Sequence, residues 1–249
     1  MSEPLVSIII PTYERFDSLM KAIESIENQT YKNFEMIIID DASKDNRYKN
    51  LEDNKNLNVI HLKKNSVEAK GYFSDSVRNH GIKDASGKYI AFLDDDDYWL
   101  PEKLELQIKK LESSNFKMCA SEAISNNGIY DENSDNKLYN QEIVFNEIAN
   151  IYKKSSLKNT FKSFLSFEFY FPEVWNSKFI KIHNCIITSS VVVEKDLLNK
   201  IGNFRDIQSK KLWSDWDCWL GLLTHTDCYY FSQPLLYYDL NEGLNANPT

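Results

Sequence analysis

Over the first hundred residues, short runs of consecutive apolar side chains alternate with stretches whose apolar residues recur at helical spacing. The runs lie at 5–10, 34–39, 58–62 and 89–93. Between them, Leu19, Ile23 and Ile26 share a helical face, with Asp17 or Ser18 placed to cap it. Phe73, Val77 and Gly81 mark a second helix, and Leu104, Ile108 and Leu111 a third that opens at Pro101. Strands that are apolar throughout, rather than alternating, predict a parallel sheet covered on both faces. Ligands of such sheets bind beyond the carboxyl ends of the strands. Attention therefore falls on Thr12 to Arg15, Asp40 to Asp45, and Asp94 to Asp97.

The second half is less regular. Residues 122–147 are acidic, and 153–181 are rich in lysine and aromatic residues. A β-branched run at 185–193 predicts a further strand, followed by a helix to Ile201 with Gly202 as its stop. Trp216, Leu220 and Leu223 mark a last helix.

At 249 residues, 42% hydrophobic and 27% charged, the chain can bury a substantial core as one large α/β domain or two small ones. With 29 Lys+Arg against 37 Asp+Glu the net charge is −8, which argues against a nucleic-acid partner. Cys119, Cys185, Cys218 and Cys228 form no C-x-x-C pair and read as free thiols in a reducing compartment. No apolar run reaches the roughly 20 residues of a membrane span, and Met-Ser-Glu-Pro does not open a signal peptide. The expectation is a soluble, cytoplasmic protein.

Glycine is scarce: the seven glycines are too widely spaced for G-x-G-x-x-G or G-x-x-x-x-G-K-[ST]. A bound diphosphate would therefore need a metal or side chains to meet its charge. Asp94, Asp95, Asp96 and Asp97 follow directly on an apolar run. Four adjacent carboxylates repel one another, and a divalent cation such as Mg²⁺ or Mn²⁺ relieves that repulsion. In an extended chain Asp94 and Asp96 would point one way, Asp95 and Asp97 the other. An acidic turn at the start of the Pro101 helix is the structural alternative. A D-x-D-x-[TV] phosphotransferase signature is broken by Tyr98.

Several segments, in order, resemble the family 2 glycosyltransferases. They are Val6-Ser-Ile-Ile-Ile-Pro-Thr-Tyr13, Gln29-Thr-Tyr31, Phe34-Glu-Met-Ile-Ile-Ile-Asp-Asp41, Arg78-Asn-His-Gly81, and the stretch from Ala85 to Asp97. Gly202-Asn-Phe204 and Ser214-Asp-Trp-Asp-Cys-Trp219 continue the series, whereas 120–180 aligns with nothing in the family. The resemblance implies a GT-A (Rossmann-like) α/β fold with a mostly parallel central sheet flanked by helices. A nucleotide half at 1–120 would precede an acceptor and catalytic-base half at 121–249.

By the same resemblance, Pro11 and Tyr13 line the nucleobase pocket and Asp41 contacts the base. Asp94, Asp95 and Asp96 correspond to the D-x-D signature, Asp95 near the ribose and Asp96, with Asp94, as ligand of Mn²⁺ or Mg²⁺. Arg78 could face the diphosphate, and Lys70 is a weaker candidate. Asp215 corresponds to the catalytic base, with Asp217 as the fallback. The implied reaction is inverting, metal-dependent transfer of one sugar from a nucleotide-sugar, UDP-linked by expectation, to a glycan or lipid-linked acceptor.

Two positions depart from the family pattern. Ser214 stands where the family has Glu, and Tyr238-Asp239-Leu240-Asn241 stands where it has Tyr-Arg-x-His. The missing basic pair leaves a catalytically inactive GT-A module, binding sugar or a partner, as the alternative. His183 is a candidate substitute for that pair. The basic aromatic stretch 153–181 could meet an anionic membrane surface, as a peripheral contact, or pack as core.

Overall fold

The four apolar runs form strands β1 (Val6–Thr12), β2 (Phe34–Asp40), β3 (Leu57–His61) and β4 (Tyr89–Phe92). They pair in parallel in the order β3-β2-β1-β4, with Thr12 opposite Asp40 and Ile9 opposite Phe92. The computed structural model describes residues 3–53, 57–70, 75–126, 136–148, 171–206 and 213–240. β5 (Tyr98–Trp99), β6 (Met118–Asn126), β9 (Val192–Glu194) and β10 (Cys228–Asp239) extend the sheet, while the short β7 (Lys137–Leu138) and β8 (Val174–Trp175) pair at its margin. The order runs β3-β2-β1-β4-β9-β6-β10-β5, so β9, late in sequence, sits between β4 and β6 and joins the two halves of the chain.

Alternate residues of the central strands go to opposite faces, and both faces are buried. Ile9, Ile37, Ile39, Ile90 and Phe92 face one cluster; Ile8, Ile10, Ile38, Tyr89 and Ala91 face the other. The second face is covered by α1 (Phe16–Glu27), with Leu19, Ile23 and Ile26, and by Leu104, Ile108 and Leu111. On the first face lie helix residues Ile82, Leu198 and Trp219. Each such fully buried aliphatic or aromatic side chain contributes about 1.5–3 kcal/mol of transfer free energy. Gly81 is required there, because a Cβ would sit 2.9 Å from Ile39 Cδ1 and from Ile9 Cδ1. Gly202, at φ 85°, ends the Lys195–Ile201 helix as expected.

Three local expectations need correction. Neither Asp17 nor Ser18 caps α1: the helix begins at Phe16, Arg15 occupies the cap position, and no side chain caps it. The Arg15 amide instead donates to the Tyr48 hydroxyl at 2.9 Å, in a turn set by Glu14 at φ 54°. The 185–193 run forms a strand only at Val192–Glu194. Within it, Thr188–Ser190 makes a helical turn whose carbonyls serve side chains, Ser189 O accepting from Trp99 Nε1 and Ser190 O from Gln107 Nε2. The Pro101 helix starts at Lys103. Phe73 lies outside the described residues, and Val77 and Gly81 fall in a short turn (Asp75–Val77) and in the helix Arg78–Asp84.

Two buried polar groups hold elements together. The Glu122 carboxylate, fully buried in β6, accepts from the amides of Asn140 at 2.8 Å and Gln141 at 3.0 Å, and from the Tyr230 hydroxyl at 2.8 Å. Lys103, also fully buried, donates to Gln107 Oε1 at 2.6 Å, its Nζ lying 4.1 Å from the centre of the Trp99 ring. Burial lowers the Lys103 amine to about 7.

In the unfolded chain that amine titrates near its ordinary 10.5. Between about 7 and 10.5 the unfolded state therefore binds more protons, and stability rises with pH through that window. Denaturant unfolding at a series of pH values should show this rise upward from pH ~7, and Lys103→Met should flatten it.

Candidate active site

The tract after β4 is a turn, not an extended segment. The Asp97 amide donates to the Asp94 carbonyl at 3.1 Å, so the four carboxylates fan outward instead of alternating. Asp94 is ion-paired with Arg78 Nη2. Asp95 and Asp96 share one guanidinium: Arg15 Nη1 lies 3.2 Å from Asp95 Oδ1 and 2.7 Å from Asp96 Oδ2. Asp97 accepts from Ser189 Oγ at 2.5 Å and from the Asp239 amide at 3.2 Å. Ser189 Oγ also accepts from the Asp94 amide at 3.0 Å, tying both ends of the tract to one hydroxyl.

Asp95 and Asp97 are screened from water, at 6% and 2% exposed, while Asp94 and Asp96 are partly exposed. Burial raises the Asp95 carboxyl to about 6, opposed by Arg15 and the Thr12 hydroxyl. Burial first, then the charges of Asp94 and Asp95, raises Asp96 to about 7. Asp97 is pushed well above the usual carboxylate range by burial and by Asp96 and Asp94. The tract thus resists carrying four negative charges unaided.

The donor set suits a hard cation. Asp95 Oδ2 is buried with no hydrogen-bond partner among the described residues, and Asp94 and Asp96 flank it with oxygen donors. Among the described residues, no three acidic, His or Cys side chains form a ready-made metal cage. One or two carboxylates, with phosphate and water completing the shell, is the Mg²⁺-type arrangement that remains.

β1 and β2 end side by side, as the register Thr12 to Asp40 and the Asp41 amide bond to the Thr12 carbonyl at 2.9 Å require, while β4 ends earlier, with Phe92 opposite Ile9. Pro11 lies within β1 opposite Ile39, and Tyr13 is 39% exposed just beyond the strand. The buried Asp41 carboxylate is turned toward the next loop. It accepts from the Ser66 hydroxyl at 2.6 Å, the Ser66 amide at 2.9 Å and Asn65 Nδ2 at 3.1 Å. Lys70 is held by Asp206 and Ser76, at 2.6 and 2.7 Å.

On the other side, Asp215 stands in the first turn of the helix Ser214–Leu222. Asn184 Nδ2 donates to its Oδ2 at 3.1 Å, and the Trp216 amide to its Oδ1 at 2.6 Å. Asp217, the fallback, is held by Arg205, with Nε at 2.7 Å and Nη2 at 2.5 Å. His183 pairs with Glu147 at 3.1 Å. Trp213, beside Asp215 in sequence, is 68% exposed. The loop from Asn184 to Ser189 therefore connects the Asp215 side of the site to the aspartate tract.

Arg15, Ser189 and Asn184 carry no assigned role in the sequence pattern. Arg15 lay in the polar segment after β1, where such sheets bind ligands, but nothing local says which acid it meets 80 positions later. Ser189 and Asn184 sit inside a β-branched run that conceals their turn.

The sequence model described as Glycosyl transferase family 2 matches residues 7–192, and the chain belongs to that family. It is 42% identical over 132 residues to the Escherichia coli UDP-Glc:alpha-D-GlcNAc-diphosphoundecaprenol beta-1,3-glucosyltransferase WfgD, covering 52% of this chain and 50% of that one. The chain spans half the length, or less, of the curated relatives it matches most strongly. In fold it is similar to Staphylococcus aureus TarS 1–349 in complex with UDP-GlcNAc, with a TM-score of 0.64 at 18% identity over 94% of this chain and 58% of that one. It is likewise similar to the Pyrobaculum calidifontis mannosyltransferase PcManGT in complex with GDP-Man and Mn²⁺, with a TM-score of 0.60 at 13% identity over 94% and 56%. The fold is thus GT-A, as the sequence resemblance implied.

Ser189 is fully buried and bonds a buried carboxylate, and such bonds contribute about 1.5–3 kcal/mol. Ser189→Ala should lower unfolding free energy by about that amount in urea titrations.

Proposed function

We propose that the chain catalyses inverting transfer of one sugar from a UDP-sugar to a glycan or lipid-linked acceptor, with Mn²⁺ or Mg²⁺ bound at the aspartate tract. The observation that carries this reading is the partly buried aspartate tract beyond β4, in which Asp94, Asp95 and Asp96 draw two guanidiniums to one turn. Asp96, with Asp94, would hold the ion, with phosphate and water completing its shell, and the ion would supply charge compensation for the departing diphosphate. The UDP-sugar named for the E. coli relative and the UDP-GlcNAc bound to TarS support a uridine donor. The diphosphoundecaprenol acceptor named for that relative supports a lipid-linked one.

Asp215 is the base. An acceptor hydroxyl oxygen attacks the anomeric carbon while the bond from that carbon to the diphosphate oxygen breaks, its electron pair leaving with the diphosphate. The hydroxyl proton passes to Asp215, and attack opposite the leaving group inverts the anomeric centre. Asn184 and the Trp216 amide fix the plane of the Asp215 carboxylate. The exposed indole of Trp213 offers an apolar face for the acceptor sugar ring. Tyr13 at the end of β1 offers a face for the uracil.

Among the described residues, no helix is long and apolar enough to cross a membrane. The membrane contact expected of 153–181 falls mostly outside the described residues. In the described part Phe171 and Trp175 are core, Trp175 stacking on Tyr230 at 4.0 Å.

Product formation from a panel of nucleotide-sugars with Mn²⁺, using a lipid-diphosphate sugar acceptor, tests the proposal. Asp215→Asn should lower kcat by about 10²–10⁴-fold with UDP affinity retained. Asp96→Ala should lose the Mn²⁺-dependent part of UDP binding in calorimetry. Nucleotide binding with no turnover of any donor would favour the inactive module and sink the enzyme reading.

A further inference from the structure

Arg15 stands against the aspartate tract with no part in the chemistry derived above. Its position is built. The backbone turns at Glu14, whose φ of 54° is unusual for a side chain of that kind, and the Glu14 amide is fixed to Ser43 Oγ at 3.0 Å. The Arg15 amide is fixed to Tyr48 Oη at 2.9 Å, and that oxygen is hydrogen-bonded to Thr12 Oγ1 at 3.0 Å. From this anchor the guanidinium reaches Asp96 at 2.7 Å and Asp95 at 3.2 Å.

The two guanidiniums at the tract differ in freedom. Arg78 is 4% exposed and lies over the Phe204 ring at 5.8 Å, packed in place. The Arg15 side chain is 30% exposed and extends from a fixed backbone on a flexible stem. At the far edge of the site the chain carries Asp239, its amide given to Asp97, where the family pattern has a basic residue. The segment Tyr238-Asp239-Leu240-Asn241 thus brings no basic residue of its own to that edge, while Arg15 brings one to the opposite side of the tract.

A divalent ion seated on Asp95 and Asp96 would stand close to the Arg15 guanidinium, and the two cations would repel and compete for the same carboxylate charge. A guanidinium displaced from a carboxylate pair retains a fork of N–H donors that matches phosphate oxygens. We propose that Arg15 is the counter-ion of Asp95 and Asp96 in the unliganded protein and becomes a ligand of the donor's diphosphate once a divalent ion takes those carboxylates. This rests on the reading of the tract as a metal–diphosphate site. It assigns to the N-terminal half a phosphate-binding charge of the kind that Tyr238-Asp239-Leu240-Asn241 does not carry. Metal and nucleoside diphosphate then bind with positive coupling, because either one offsets part of the cost of moving Arg15 for the other.

The test needs no turnover. Free Mn²⁺ is followed by its electron paramagnetic resonance signal with and without UDP, and UDP binding by calorimetry with and without Mn²⁺. In the wild type, UDP should tighten Mn²⁺ binding about 5-fold or more. Arg15→Ala should bind Mn²⁺ alone more tightly than the wild type, and UDP at saturating Mn²⁺ more weakly, each by about 5-fold or more. Arg15→Gln keeps much of the side-chain length and gives the same comparison should Arg15→Ala fail to fold. Unchanged or weaker Mn²⁺ binding in these variants, against a coupled wild type, overturns the role of Arg15 alone. A wild type with no Mn²⁺-dependent UDP binding overturns the metal–diphosphate reading and this proposal with it.

Discussion

Four carboxylates crowded into a half-buried turn are the constraint around which the rest of the site is arranged. In water they would simply repel; at the end of a covered sheet they also lose solvation, and the protein must supply cations and hydrogen-bond donors. It does so from widely separated parts of the chain: Arg15 after β1, Arg78 on a helix, Ser189 in the turn before β9, and the amide of Asp239 at the end of β10. The sheet order makes this convergence feasible, because β9 lies directly beside β4. The tract is therefore a product of the tertiary fold, and its charge balance depends on both halves of the chain.

That arrangement also explains the division of labour at the other carboxylates. Asp41 and Asp217 have sequence contexts as suggestive as that of Asp215, yet their oxygens are taken up by Asn65 and Ser66 in one case and by the Arg205 fork in the other. Asp215 accepts from the Asn184 side-chain amide and the Trp216 backbone N–H, which fix its orientation at the start of its helix.

The four parallel strands of the first half, the helices that cover them and their polar ends were legible in the sequence, since continuous burial leaves a continuous apolar signature, as at Ile8-Ile9-Ile10, whereas β5, β6 and β10 were not. The aspartate tract was legible because four adjacent acids are rare. Its shape was not: a period-two reading set Asp95 and Asp96 on opposite faces, whereas the turn brings both to Arg15. Long-range ion pairs leave no local periodicity, and the turn at Thr188–Ser190 was masked by its β-branched neighbours. The entry to α1 was equally hidden, because the Arg15 amide at its start is held by a tyrosine 33 positions away.

Glu122 bears on how the molecule can be rebuilt. By gripping the amides of Asn140 and Gln141 with a fully buried carboxylate, it fixes the place at which the chain returns to the sheet after β6. A chimera that exchanges acceptor-side segments between relatives would keep its scaffold if the splice is made beyond this clamp. A junction that separates Glu122 from its two amides would leave a buried carboxylate short of two of its hydrogen bonds, whatever sequence is grafted.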